Sequence, residues 1–240
     1  MTLASALAAI LVAAGATDPA GARVVTVPLD VHGFKVLGET YDPENPRPPP
    51  PTYYRTIDTP RGSYIHGEYL PPQPTVTLFH AVPDELRHGV HRMQWRWRAQ
   101  VLPTKGNECA SGLGDSAAAV YVTWKRGLRW YSLKFIWSTA APLGATCNRI
   151  RNPFVVSDSI VLRTAATSTT WVEETIDPEE LFRQHFANGD PAADIPDLQG
   201  IGIMTDGDQT NSVSAADYAG FVLQKGPKPS PLASDRTRSR

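Results

Sequence analysis

Apolar and polar residues alternate most cleanly over Met93-Gln94-Trp95-Arg96-Trp97-Arg98. A period of two places Met93, Trp95 and Trp97 on one face of a strand and Gln94, Arg96 and Arg98 on the other, so the tryptophans read as core. Similar short runs, each bounded by Pro, Gly or polar residues, occur at 53–57, 63–69, 75–79, 117–124, 130–137 and 159–163. Evenly spaced short strands without intervening helical periods predict an all-β, antiparallel β-sandwich of jelly-roll type. One short crossover helix is predicted where Asp177 supplies an N-cap, Pro178 takes the first helical position, Leu181, Phe182 and Phe186 follow at helical spacing, and Asn188-Gly189 stops it.

The most informative stretch is 200–211, answered by 215–223. Alternating apolar residues run into the polar loop Asp206-Gly207-Asp208-Gln209-Thr210-Asn211 and return through a second, aromatic strand. A turn dense in acceptor oxygens between two strands is how a β domain presents a ligand or metal site on a rigid edge.

Composition narrows the picture at the ends of the chain and in its partners. The apolar run 3–14, followed by Ala-Gly-Ala patterns, resembles a secretory signal over 1–22, although no Lys or Arg precedes it. The run is shorter than the roughly 20 residues a membrane span requires. The expectation is a periplasmic or secreted protein with no integral membrane segment after signal removal. Residues 23–52, ending in the run Pro48-Pro49-Pro50-Pro51, read as an extended proline-rich segment. Residues 53–224 read as the sandwich, and 225–240 as a disordered tail. A formal net charge of −1 over 240 residues gives no field to attract nucleic acid, which is excluded as an expected partner. The two cysteines, Cys109 and Cys147, lack CxxC spacing and an accompanying His cluster. In an oxidising compartment a structural disulfide is the expectation, with two independent thiols as its rival.

Candidate chemistry centres on acids. Asp206, Asp208 and Asp217 offer hard oxygen ligands, and calcium is the one cofactor this donor set suggests. The same residues also cap turns, and their spacing imitates an EF-hand poorly, without its central glycine or terminal glutamate. Asp115 in Gly114-Asp115-Ser116 enters a strand and either faces a pocket or caps the turn. Glu173 and Glu174 are adjacent in a strand, so they face opposite ways and cannot form a glycosidase pair by themselves; either with Asp206 or Asp208 is a geometric alternative. No nucleophile elbow, HExxH or phosphate loop occurs.

The ordered series Trp95-Arg96-Trp97-Arg98, 114–122, Leu133-Lys134-Phe135-Ile136-Trp137, Thr170-Trp171-Val172-Glu173, 182–186 and Met204-Thr205-Asp206-Gly207-Asp208-Gln209-Thr210 resembles the bacterial family called domain of unknown function 3047. The resemblance spans 53–223. The family pattern pairs two acids before the Ala-rich strand, whereas here Gly114 stands beside Asp115. It implies an exported or envelope-associated β-sandwich similar in plan to jelly-roll carbohydrate-binding modules, with no reaction attached. On the carbohydrate analogy, Trp124, Trp130 and Tyr131 stack on sugar rings while Asp115, Asp206, Asp208 and Asn211 accept hydroxyl or calcium contacts. The leading expectation is therefore a non-catalytic module binding a glycan or other small polar ligand. The alternatives are a glycoside hydrolase pairing Asp206 or Asp208 with Asp115 or Glu173, and a structural envelope protein.

Overall fold

The structure is a computed structural model, describing residues 23–38 and 51–226. The expected signal segment, residues 39–50 of the expected proline-rich segment and most of the expected tail lie outside these residues.

Thirteen strands among the described residues form two sheets. The first contains β1 (Val25–Pro28), β3 (Tyr54–Ile57), β4 (Tyr64–Tyr69), β6 (Val90–Val101), β11 (Val172–Ile176) and β13 (Ser214–Lys225). They run in the order β11-β6-β13-β4-β3, with β1 paired to the far half of β13. The second contains β2 (Lys35–Val36), β5 (Thr77–Ala81), β7 (Ala118–Arg126), β8 (Arg129–Ser138), β9 (Thr146–Arg151), β10 (Val155–Thr164) and β12 (Asp197–Met204). Their order is β2-β5-β12-β7-β8-β10-β9. The sandwich is thus all-β, as the alternation predicts, with one departure from antiparallel pairing: β8 and β10 run parallel. Between them the chain crosses and returns as β9, which pairs antiparallel on the far side of β10.

The core sits between the sheets. Along β6 the buried side chains Met93, Trp95, Trp97 and Ala99 alternate with polar ones, and β7 presents Ala118, Val120, Val122 and Trp124 from the facing sheet. Trp95 meets Phe135 with ring centroids 5.6 Å apart, and Trp97 meets Trp137 at 5.7 Å, so aromatic rings stitch the two layers. Each such buried side chain contributes about 1.5–3 kcal/mol. The helix α1 (Pro178–Phe186) forms where its cap is predicted, the Asp177 carboxylate accepting from the Glu180 N–H at 3.0 Å. Its Phe182 and Phe186 close one end of the sandwich against Trp124 and Tyr131.

One expectation changes. The sandwich takes in chain before residue 53, because β1 and β2 each extend a sheet instead of forming an extended lead-in. The strands flanking the acidic loop do not pair with each other: β12 lies in the second sheet and β13 in the first. The loop 205–213 is therefore a corner between layers. No helix among the described residues is long and apolar enough to cross a membrane.

Candidate functional site

The corner is fixed by buried hydroxyls before it reaches its acids. As β12 ends, the Thr205 N–H donates to the Tyr54 hydroxyl (2.7 Å), and the Thr205 carbonyl accepts from the Tyr53 hydroxyl (2.7 Å). Tyr218, from β13, donates to the Met204 carbonyl at 2.7 Å. Burial pushes the Tyr53 hydroxyl up to about 12 and those of Tyr54 and Tyr218 well above their ordinary value, so all three stay protonated. Gly207 then lets the chain pass close beneath: a Cβ there would strike the Ser212 carbonyl and the Tyr69 ring.

Past this brace three carboxylates converge. Side-chain oxygens of Asp115, Asp206 and Asp208 lie within 4.8 Å of one another. Asp115 comes from the loop before β7 and is fully buried. It holds the corner shut by accepting from the N–H groups of Gln209 (3.2 Å) and Thr210 (2.6 Å) and from the Thr210 hydroxyl (2.6 Å). Asp206 is 5 % exposed. Its Oδ1 accepts from the Thr75 hydroxyl at 2.8 Å and the Asp208 N–H at 3.3 Å. Burial first, and then the neighbouring Asp115 and Asp208 charges, push the Asp206 carboxyl up, against the Thr75 bond and Lys134, which pull it down. Asp208 is exposed at the rim.

One cation faces this group from the outer side of the second sheet. Lys134 on β8 pairs in register with Tyr121 on β7, its Nζ 5.6 Å from the ring centroid. Burial works against the Lys134 charge, yet Tyr121, Glu108 and Asp206 together hold its ammonium above the ordinary range. Glu108 is fully buried in the loop tied down by the Cys109–Cys147 disulfide, whose Cα atoms stand 4.9 Å apart. Both Glu108 carboxylate oxygens lack a hydrogen-bond partner among the described residues. Burial pushes this carboxyl up, offset in part by the nearby Ser138 hydroxyl and Lys134.

The structure separates several residues that the sequence reading grouped. Asp217 is not a ligand of the acid cluster, where Asp115 takes its place. It lies fully buried on the other sheet, bound by His66 Nδ1 (2.6 Å), Arg98 Nε (2.6 Å) and Gln100 Nε2 (2.7 Å), which occupy its oxygens. Trp124, Trp130 and Tyr131 do not share a site with the acids. In the ladder joining β12 to β7, Lys125 pairs with Asp197 and Ala119 with Met204, so seven residues, about 23 Å of strand, separate the two ends. Trp124 is 1 % exposed and packed on α1 with Tyr131, while Trp130 is exposed under Lys125 Nζ. Asn211 is exposed, with φ of 49° and its N–H on the Asp208 carbonyl (3.4 Å), so turn geometry accounts for an asparagine there. Glu173 bonds Gln94 (3.2 Å) and Glu174 bonds Arg163 (2.7 Å), both on the edge of the first sheet and away from the corner.

Sequence reasoning missed Thr75, Glu108, Tyr121 and Lys134. Period two in the strands 117–124 and 130–137 carries a signal for Tyr121 and Lys134, since both fall on the face opposite the core residues Val120, Val122, Leu133 and Phe135. Two recesses, of about 220 and 170 Å³, lie elsewhere on the described surface.

A family model described as "Protein of unknown function (DUF3047)" matches residues 75–222, which take in the corner, all three acids and both cysteines. The chain belongs to this family. No curated protein matches the DUF3047 chain in sequence. Among solved structures it is similar to the xyloglucanase domain of NopAA from Sinorhizobium fredii in complex with cellobiose, at 8 % identity and a TM-score of 0.41, over 75 % of this chain and 91 % of that one. It is also similar to a family 11 carbohydrate-binding module from Clostridium thermocellum in complex with a mixed-linked tetrasaccharide (9 %, 0.35, over 83 % and 87 %). A third is Endoglucanase 3 of family GH12 from Trichoderma harzianum (10 %, 0.40, over 88 % and 100 %). The likeness is confined to the general arrangement of strands.

Proposed function

We propose that this DUF3047 chain is a non-catalytic binding domain of the periplasm or the exterior, which takes a hydroxyl-rich ligand such as a glycan at the Asp115–Asp206–Asp208 rim, with calcium as the cation that completes it. The observation that supports this reading is the convergence of three carboxylates within 4.8 Å, drawn from two separate loops and braced by the tyrosine-held corner. Three acids so close repel one another, and a hard divalent cation or a set of donor hydroxyls relieves that repulsion. The reading is preferred to a glycoside hydrolase because the carboxylates that would partner Asp206 or Asp208 are engaged elsewhere: both Asp115 oxygens accept from Gln209 and Thr210, and Glu173 bonds Gln94 on the edge of the first sheet.

The test is a thermal-shift titration of the exported chain with calcium, then with a glycan panel with and without calcium, for the wild type and an Asp206→Asn/Asp208→Asn double variant. The expected result is a rise in Tm that grows with the logarithm of ligand concentration, equivalent to about 2.7 kcal/mol of added stability at 100 Kd, and is absent from the variant. Equal responses of the two proteins, or none with any ligand, would remove the rim as a binding site. Release of reducing sugar from any glycan would favour the hydrolase.

A further inference from the structure

The end of the sandwich remote from the acids carries two apices side by side. The hairpin between β7 and β8 turns in two residues, since Arg126 faces Arg129 in register, and Gly127 takes the positive φ, 58°, that so tight a turn requires. Leu128 is thereby held out at the apex, 79 % exposed. The turn between β9 and β10 is closed by Asn152, whose Oδ1 accepts from the N–H groups of Phe154 (2.9 Å) and Val155 (2.7 Å), and it leaves Phe154 61 % exposed. The apices are fastened to each other: the Trp130 N–H donates to the Phe154 carbonyl at 2.7 Å, and Arg129 Nη2 donates to the Asn152 carbonyl at 3.3 Å. Trp130 and Ile150 are exposed beside them. Four large apolar side chains thus stand in solvent on turns whose backbone is already tied, and such a patch marks a surface that meets something else.

The surroundings of the patch are cationic. No Asp or Glu occurs between Asp115 and Asp158, whereas the two turns and their flanks carry Lys125, Arg126, Arg129, Arg149 and Arg151. The acids that reach this end are engaged: Asp194 with Arg126 (3.0 Å), Asp158 with Arg151 and His185 (both 2.8 Å), and Asp197, opposite Lys125 in the ladder, with His88 (3.1 Å). Lys125, Arg129 and Arg149 are left without a carboxylate partner among the described residues. Lys125 Nζ lies 4.8 Å from the Trp130 ring centroid, and the Arg129 guanidinium 5.8 Å from that of Tyr131.

We propose that these two turns are a docking surface for an anionic phospholipid membrane. The charge complementarity names the partner: uncompensated cations flank the apices and match a surface of lipid phosphates. The apolar side chains name the mode, since Leu128, Phe154 and an exposed tryptophan on a projecting tip suit the boundary between headgroups and acyl chains. Long basic side chains beside them lie along apolar surface while their charged ends stay at headgroup level. The chain rests on the membrane by this end and does not cross it. The tip adjoins the Asp197 end of β12 and the acids follow the Met204 end, so a docked chain presents its acid rim away from the lipid, and the two sites are independent.

The test is cosedimentation of the exported chain with sucrose-loaded vesicles, one set of phosphatidylcholine alone and one of equal parts phosphatidylcholine and phosphatidylglycerol. The expected result is pelleting with the anionic vesicles, weakened by added salt, and none with the neutral ones. Leu128→Asp/Phe154→Asp and Arg129→Gln/Arg149→Gln should each lower the partition at least about tenfold. Leu143→Asp, which changes an exposed leucine beyond the Ser138 end of β8, should leave it unchanged. All these side chains are exposed, so every variant should keep the wild-type melt, which separates lost docking from lost folding. No pelleting of the wild type, equal pelleting with neutral vesicles, or pelleting that persists in either double variant would overturn the proposal. So would a dimer in buffer that Leu128→Asp/Phe154→Asp dissolves, which would assign the apices to a second copy. Binding to heparin without binding to vesicles would assign the cations to a soluble polyanion and overturn it as well.

Discussion

Asp206 and Asp217 stand on either side of one loop and meet opposite surroundings. Both are almost fully buried, at 5 % and 0 % exposure. Asp217 faces the outer side of the first sheet, where Arg98 delivers Nε and Nη2 to one oxygen, Gln100 joins them, and His66 takes the other. Trp171 covers the Arg98 guanidinium, 4.7 Å from the ring centroid, and completes a cross-strand ladder from β4 to the edge. Asp206 faces two more carboxylates and receives only the Thr75 hydroxyl and one backbone N–H. Satisfied burial stabilises a fold, whereas burial among like charges costs stability and persists where something else gains from it. The contrast marks Asp217 as architecture and Asp206 as the better candidate for function.

The sharpest way to break this comparison is to remove each acid. Asp217→Ala leaves Arg98, 21 % exposed, without its carboxylate, and should cost about 3–5 kcal/mol in urea or thermal unfolding. Asp208→Ala, at the exposed rim of the other group, should fall within about 0.5 kcal/mol of wild type. Similar losses at the two positions would show that the acid rim is as structural as the Asp217 network.

A second variant probes what keeps the acids together. The Cys109–Cys147 bridge closes 38 residues of separation and fastens the Glu108 loop over the outer face of the second sheet. Cys109→Ser/Cys147→Ser should cost about 2–4 kcal/mol, read as a lowered urea midpoint with a steeper slope, because the unconstrained unfolded chain exposes more surface. The Asp217 network, on the opposite sheet, should keep its geometry: the His66 imidazole resonances should hold their chemical shifts at fixed pH in the variant. Displaced His66 resonances would mean that the two regions are coupled through the core.

How far the sequence reaches follows from the range of each interaction. Period two along Met93–Arg98 and the Asp177-Pro178 cap are local signals, and strand β6 and helix α1 form where they predict. The loop between β12 and β13 was legible as a polar turn, and its acids were legible as candidates. Its role as a corner was not, because the ladder partners of these strands lie from 72 residues away (Asp197 with Lys125) to 200 (Lys225 with Val25), and strand propensity says nothing of which sheet a strand joins. The same limit explains the exchange of Asp217 for Asp115. Both were named from local context, and only the fold carries Asp217 to Arg98 and brings Asp115 under Thr210. Trp124, Trp130 and Tyr131 were assigned to the acid site by analogy, and strand direction places them at the opposite end.

The smallest effect is the most diagnostic, because it depends on sign. Asp206 and Glu108 ordinarily titrate at 3.8 and 4.5, and in the folded chain both are pushed up, chiefly by burial. The native state then holds these protons more tightly than the unfolded chain does. The stabilisation from that binding is complete below the ordinary values and is lost as pH rises through the raised ones. Asp206→Asn and Glu108→Gln mimic the protonated forms, so each should gain on wild type, by of order 1 kcal/mol, as pH climbs from 3.5 to 7.5. The stability difference between variant and wild type, followed against pH in urea, isolates this trend from the other carboxylates. Asp217→Asn should show no such gain at neutral pH, since its carboxylate is needed by Arg98 and His66. If calcium completes the rim, adding it should cancel the Asp206→Asn advantage and leave that of Glu108→Gln intact, because the metal repays the repulsion around Asp206 and does not reach the buried acid behind Lys134.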